Sequence, residues 1–243
     1  MSSGCVMNRT RPLPARSAAT LALLVALCSG CGTHAPVAGT EPSAPAQPPE
    51  AYCLTPSDHP EAVRFHNLNG QVLGSGPVGL VLTNGSANDP CVWHDLLPSL
   101  LSTGRYRVLL YFYQADRQQS IADADAGLLQ QGAERVILIG QSLGGRETLA
   151  AASRIKPPPA AAVSLSGEST PDEVRSLQVP TLIFASEDDH WFPGATARQV
   201  FAAIPAVDKD LRVYPGRSHG VDILIDEEGG PALSVFLGFL SRH

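Results

Sequence analysis

The chain has 243 residues, 44% hydrophobic and 16% charged, with a formal net charge of −6. That length and apolar content suffice for one domain with a sizeable core and exclude a disordered chain. No lysine- or arginine-rich run interrupts the body of the chain, so nucleic acid is not an expected partner.

The first 31 residues read as an export leader. Arg9, Arg11 and Arg16 precede the apolar run "AATLALLVALCSGC" (18–31), which has the length of a signal h-region and is short for a transmembrane helix. Met7 offers an alternative start with a more usual charged segment. The end of the run resembles a bacterial lipobox, in which the cysteine after small residues is lipidated and becomes the mature N-terminus; here that is Cys31, although Cys28 stands where leucine is usual. Simple secretion and a buried N-terminal helix are the alternatives. Residues 32–50, "GTHAPVAGTEPSAPAQPPE", are rich in Pro, Ala, Gly and Ser and read as a flexible tether. The folded domain is then 51–243. The expectation is an exported protein that meets the membrane only through an N-terminal lipid anchor, on the cell surface or periplasmic side, or is secreted. Once Cys5 and Cys28 leave with the leader and Cys31 takes the lipid, Cys53 and Cys91 remain as a candidate disulfide. Two separate buried thiols are the alternative, since spacing alone does not establish bonding distance.

Strand and helix patterns then alternate. Residues 62–76 read as a hairpin turning at Asn69-Gly70. "VGLVLT" (78–83) is a continuous apolar run, as in a strand buried on both faces. Residues 91–102 carry Trp93, Leu96, Leu97, Leu100 and Leu101 on a helical period, with Pro98 as a possible bend. "YRVLLYFY" (106–113) is a strand, and 120–132 a helix capped by Ser120 and closed by Gly132. "RVILIG" (135–140) is a strand, followed by a helix (143–155) closed by three prolines. Strands 160–167 and 180–186, helix 194–204, strand 210–216 and helix 230–242 complete the chain. Such alternation predicts an α/β fold, a three-layer αβα sandwich around a mainly parallel sheet. Ligands on such sheets bind beyond the carboxyl ends of the strands.

The chemistry-bearing residues fall there. Gly140-Gln141-Ser142-Leu143-Gly144 is G-x-S-x-G, weak alone but set between a strand and a helix as a nucleophile elbow requires. The glycines clear space for the sharp turn, Ser142 is the candidate nucleophile, and the amide of Leu143 sits at a helix N-terminus where an oxyanion would form. A serine hydroxyl needs a base, and His219 follows the last strand in "VYPGRSHG". The imidazole needs an acid to orient it, and "LIFASEDDHWFP" supplies Asp188 and Asp189.

On these motifs the chain resembles the α/β-hydrolase superfamily, in the order Ser142, Asp189, His219, over about residues 62–241. "SEDDHWFP" and "PGRSHG" are similar to that family's acid and base segments; the resemblance points to Asp189, with Asp188 as the alternative. The family's first oxyanion donor lies in the loop after the strand at 78–83, which here reads Thr83-Asn84-Gly85-Ser86 with Asn84 in place of histidine. The resemblance implies a backbone donor there, Ser86 or Gly85, with Ser86 favoured. "C-x-W" at Cys91-Val92-Trp93 is similar to small exported bacterial hydrolases. The family's "DxRGxGxS" is replaced by "FYQADRQQS" (112–120), so substrate contacts there do not transfer. The short connection at 168–178 leaves no room for a sizeable lid and implies an open site.

The resulting expectation is a serine hydrolase that cleaves small carboxylic esters through an acyl-enzyme, with no cofactor and no metal. Alternatives are a thioesterase, acyltransferase or peptidase on the same triad, or a non-catalytic surface-binding lipoprotein. His59, His66 and His94 read as ordinary surface or helix histidines, and His190 as solvated beside Asp189. Trp191 and Phe192 either wall an acyl pocket or seed the next helix.

Overall fold

A computed structural model describes residues 50–226 and 230–243. The leader at 1–31, Cys31 and tether residues 32–49 lie outside the described residues. Eight strands form one sheet: β1 Glu61–Phe65, β2 Leu68–Leu73, β3 Val78–Thr83, β4 Tyr106–Phe112, β5 Arg135–Gln141, β6 Ala161–Leu165, β7 Thr181–Ser186 and β8 Lys209–Tyr214. Their order is β1-β2-β4-β3-β5-β6-β7-β8. β1 and β2 run antiparallel, as does β2 against β4, and the other neighbours are parallel.

The helices are α1 Leu97–Leu101, α2 Arg117–Gln130, α3 Leu143–Ala152, α4 Gly194–Ala203, α5 Asp222–Ile225 and α6 Gly230–Arg242. Successive strand residues point to opposite faces, which sorts the apolar residues into two cores. Val81, Leu109, Leu138 and Ile183 pack with Ile121 and Leu128 of α2, Leu149 of α3 and Val200 of α4. Leu80, Leu82, Leu110, Ile139 and Phe184 pack on the other face with Trp93, Leu100 of α1, and Phe236 and Phe239 of α6. A sheet with helices on both faces is the expected three-layer sandwich.

Three local expectations are corrected. The β1–β2 turn is at His66–Asn67, where His66 takes φ 51° and Phe65 pairs with Leu68; Asn69 and Gly70 lie inside β2. Gly70 serves a close approach instead, since a Cβ there would sit 2.6 Å from the Leu110 carbonyl oxygen of β4. Residues 91–102 are not one helix. A 3-10 helix, Pro90–Leu96, leads into the short α1, and Pro98 occupies the first turn, where its missing N–H breaks no helical bond. Asp116, not Ser120, caps α2: its carboxylate accepts from the Gln119 amide at 3.0 Å, while the Ser120 hydroxyl bonds back to the Asp116 carbonyl.

Cys53 and Cys91 approach with their Cα atoms 5.6 Å apart, inside the range a disulfide spans. The connection between β6 and β7, residues 166–180, carries neither helix nor strand.

Candidate active site

β5 ends at Gln141 and α3 begins at Leu143, leaving Ser142 alone in the turn between them. Its φ of 53° with ψ −129° is a strained conformation for a residue with a Cβ. The neighbouring glycines make the turn sterically possible. A Cβ at Gly140 would sit 2.2 Å from the Gly144 carbonyl oxygen, and one at Gly144 would sit 2.2 Å from that of Asn84. The turn is tied down on both sides: the Ser142 amide donates to the Leu165 carbonyl of β6 at 2.8 Å, and the Ser142 carbonyl accepts from the Gly145 amide at 2.9 Å. The Leu143 amide, the first of α3, lies at the positive end of the helix dipole.

His219 and Asp189 come from the loops after β8 and β7. The His219 Nδ1 lies 2.7 Å from Asp189 Oδ2. The other carboxylate oxygen accepts from the amides of Trp191, at 2.9 Å, and Phe192, at 3.3 Å. Asp189 is buried and Asp188 is exposed, so the two aspartates are separated by geometry. Burial pushes the Asp189 carboxyl up, but its bonds to His219 and the Trp191 amide outweigh this and hold it below the ordinary aspartate range. It therefore carries its charge at neutral pH. This arrangement leaves the second imidazole nitrogen, Nε2, for a reacting proton.

Ser142 and His219 line one cleft together with Ser86, Gly85 and Gln141. The Ser142 hydroxyl makes no hydrogen bond among the described residues. Gly85 lies directly beside the elbow: a Cβ there would be 3.4 Å from the Ser142 Cβ. The loop that carries Gly85 and Ser86 is braced from below. The Asn84 side-chain Nδ2 donates to the Tyr111 carbonyl at 2.7 Å, and its Oδ1 accepts from the Trp93 indole N–H at 3.1 Å. The Tyr113 hydroxyl donates to the Gly85 carbonyl at 2.7 Å. Asn84 thus fixes the loop, with the tryptophan of the "C-x-W" segment as its partner.

Sequence reasoning missed these braces, because no motif pairs Asn84 with Trp93 or Tyr113. It also missed Gln141. That side chain is buried between the two loops, close enough to Gly220 that a Cβ there would sit 2.0 Å from its Oε1, and 3.0 Å on its Nε2 side from a Cβ at Gly85.

The remaining candidates separate clearly. His59, His66 and His94 are exposed and do not line the cleft. His190 is exposed, its ring 5.0 Å from that of Trp191. Trp191 and Phe192 differ in their surroundings: Phe192 is buried in the core beside α4, whereas Trp191 is 60% exposed with its ring 5.2 Å from the His219 imidazole. Among the described residues no group of three His, Cys, Asp or Glu side chains is arranged to hold a metal ion.

The dienelactone hydrolase family model matches residues 113–223, a span that holds the elbow, Asp189 and His219. No curated protein matches at the sequence level. Among solved structures, a Pyrococcus furiosus esterase aligns with TM-score 0.69 at 14% identity, over 80% of this chain and 96% of its own. The dienelactone hydrolase of Anabaena variabilis aligns with TM-score 0.61 at 18% identity, over 74% of this chain and 95% of its own. A Paleococcus ferrophilus monoacylglycerol lipase aligns with TM-score 0.62 at 14% identity, over 72% of this chain and 99% of its own. By fold the chain is an α/β-hydrolase, similar over residues 113–223 to the dienelactone hydrolase family.

Proposed function

We propose that the protein is a serine hydrolase of carboxylic esters. The observation that carries this reading is the convergence of a strained Ser142 with an imidazole already bonded to a buried carboxylate, on the edge of one cleft. The family match and the esterase and lipase neighbours support an ester as the substrate.

In the proposed reaction the Ser142 hydroxyl attacks the ester carbonyl while His219 Nε2 takes its proton. Asp189 holds Nδ1–H and stabilises the imidazolium. The amides of Leu143 and Ser86, with Gly85 the alternative to Ser86, donate to the oxyanion. Collapse of the tetrahedral intermediate expels the alcohol, which receives the proton from His219. Water then attacks the acyl-enzyme by the same route and releases the acid. No cofactor enters these steps.

We also propose that Cys53 and Cys91 form a disulfide and that the chain is exported with Cys31 lipidated, the residues after it acting as a tether. The leader pattern and the cysteine count support the export reading. Mass spectrometry of the mature N-terminus tests the lipid.

The test of function is labelling of the full chain with a fluorophosphonate probe, alongside turnover of a short-chain ester. Wild type labels and turns over. Ser142→Ala does neither, with turnover falling by several orders of magnitude. Folded wild type that fails to label would sink the hydrolase reading.

A further inference from the structure

The cleft around Ser142 is flanked by carboxylates. On one flank Ser86, Ser142 and His219 are joined by Glu168 and Trp191. On the other they are joined by Asp89 and Val92. No lysine or arginine lines either flank. Glu168 is exposed and has no hydrogen-bond or ion-pair partner among the described residues. Arg146 feels the Glu168 charge, but its guanidinium is bonded to Glu173, at 3.0 Å from Nε to Oε1. Asp89 accepts from the Tyr52 hydroxyl and the Cys91 amide on the other flank.

Trp191 adds a second, independent feature. Its ring is 60% exposed and lines the cleft with Glu168, whereas the neighbouring Phe192 is buried in the core. The ring lies against the imidazole of His219, the group that hands its proton to the leaving alcohol. An aromatic ring and a carboxylate lining one cleft suit an ammonium group, because the ring quadrupole and the carboxylate attract the same charge.

Resting on the hydrolase reading above, we propose that Glu168 and Trp191 form a subsite for a cationic substituent, and that the preferred substrates are esters bearing an ammonium group on the alcohol side. Anionic esters are repelled by Glu168 and Asp89. The chemistry at Ser142 is unchanged by the subsite.

The experiment uses the full chain and three esters of one short acid: the choline ester, its uncharged isostere from 3,3-dimethylbutanol, and the 2-sulfoethyl ester. Each kcat/KM is divided by the rate of the same ester with hydroxide, which removes differences in intrinsic reactivity. At low ionic strength the corrected choline-to-isostere ratio is on the order of ten, and the sulfoethyl ester falls below both. Added salt lowers the ratio. In Glu168→Gln the ratio drops toward one, a within-protein comparison that a partly misfolded sample does not distort. A wild-type ratio of one or less, with turnover of the neutral ester intact, overturns the subsite and leaves the hydrolase reading standing. A ratio indifferent to both salt and Glu168→Gln overturns it as well. No turnover of any ester, together with no fluorophosphonate labelling, overturns the hydrolase reading and the subsite with it.

Discussion

Asp188 and Asp189 are adjacent in sequence with opposite surroundings. Asp189 is buried and bonded to the His219 ring and to two amides, whereas Asp188 is exposed and contributes its own amide to the Gly216 carbonyl at 2.9 Å. If Asp189 sets the His219 tautomer, Asp189→Asn keeps the shape but offers the ring a donor where it needs an acceptor. Turnover should then fall roughly 10⁴-fold. Asp188→Asn should change it by less than about threefold, as surface changes away from the reacting groups do. Equal losses in the two variants would show that Asp189 does not act through the imidazole. The sequence narrowed the acid to this pair because a strand end followed by two aspartates is a local pattern. Choosing between them by physics required the fold, since it depends on which carboxylate the β8 loop reaches. Asn84 shows the opposite limit: it was readable as a departure from a motif, but its role lies in contacts to Trp93, Tyr111 and Asn88 that no spacing encodes.

At the scale of elements, the central strands β3, β5, β6 and β7 were legible because they are short apolar runs buried on both faces, and a continuous run is hard to mistake. The turn at His66–Asn67 was not, because Asn-Gly is a stronger local signal than His-Asn, and the Asp116 cap was not, because Asp and Ser cap equally well and local sequence does not rank Asp116 above Ser120. α2 also holds a charge where its pattern gives no warning. Asp125 is buried in the middle of the helix, and its Oδ1 has no partner among the described residues. Burial raises its pKa from 3.8 to about 6. The folded state therefore binds this proton more tightly than the unfolded chain. The stability it confers is fully present below the unfolded value and is lost as pH rises through the folded one. Above about pH 6 the ionised carboxylate costs the fold about 3 kcal/mol. Asp125→Asn should relieve part of this at pH 8 and little at pH 4. Urea unfolding of both proteins at the two pH values measures the difference, and a variant whose advantage is the same at both would rule out ionisation as the cause.

Across the whole molecule, the parallel strands explain why residues far apart in sequence meet. β3, β5, β7 and β8 run in one direction, so the loops after them, with Ser86, Ser142, Asp189 and His219, emerge on one edge of the sheet. The edge is only as rigid as its loops, and the loop after β3 runs into the 3-10 helix that begins at Pro90, immediately before Cys91. A Cys53–Cys91 disulfide would fasten that segment to the start of the domain across a sequence separation of 38. Closing a loop of that length removes unfolded-state entropy worth about 3–4 kcal/mol. The double variant Cys53→Ser, Cys91→Ser should lose close to this in urea unfolding. Its site should loosen as well, because Asp89 and Val92, which line the cleft, flank Cys91. Thiol titration of the native chain under denaturing conditions supplies the independent check. Two reactive thiols from residues 53 and 91 in an unreduced, exported sample would mean that the loop is held by packing and the Asn84–Trp93 bond alone, and the double variant should then unfold at nearly the wild-type urea concentration.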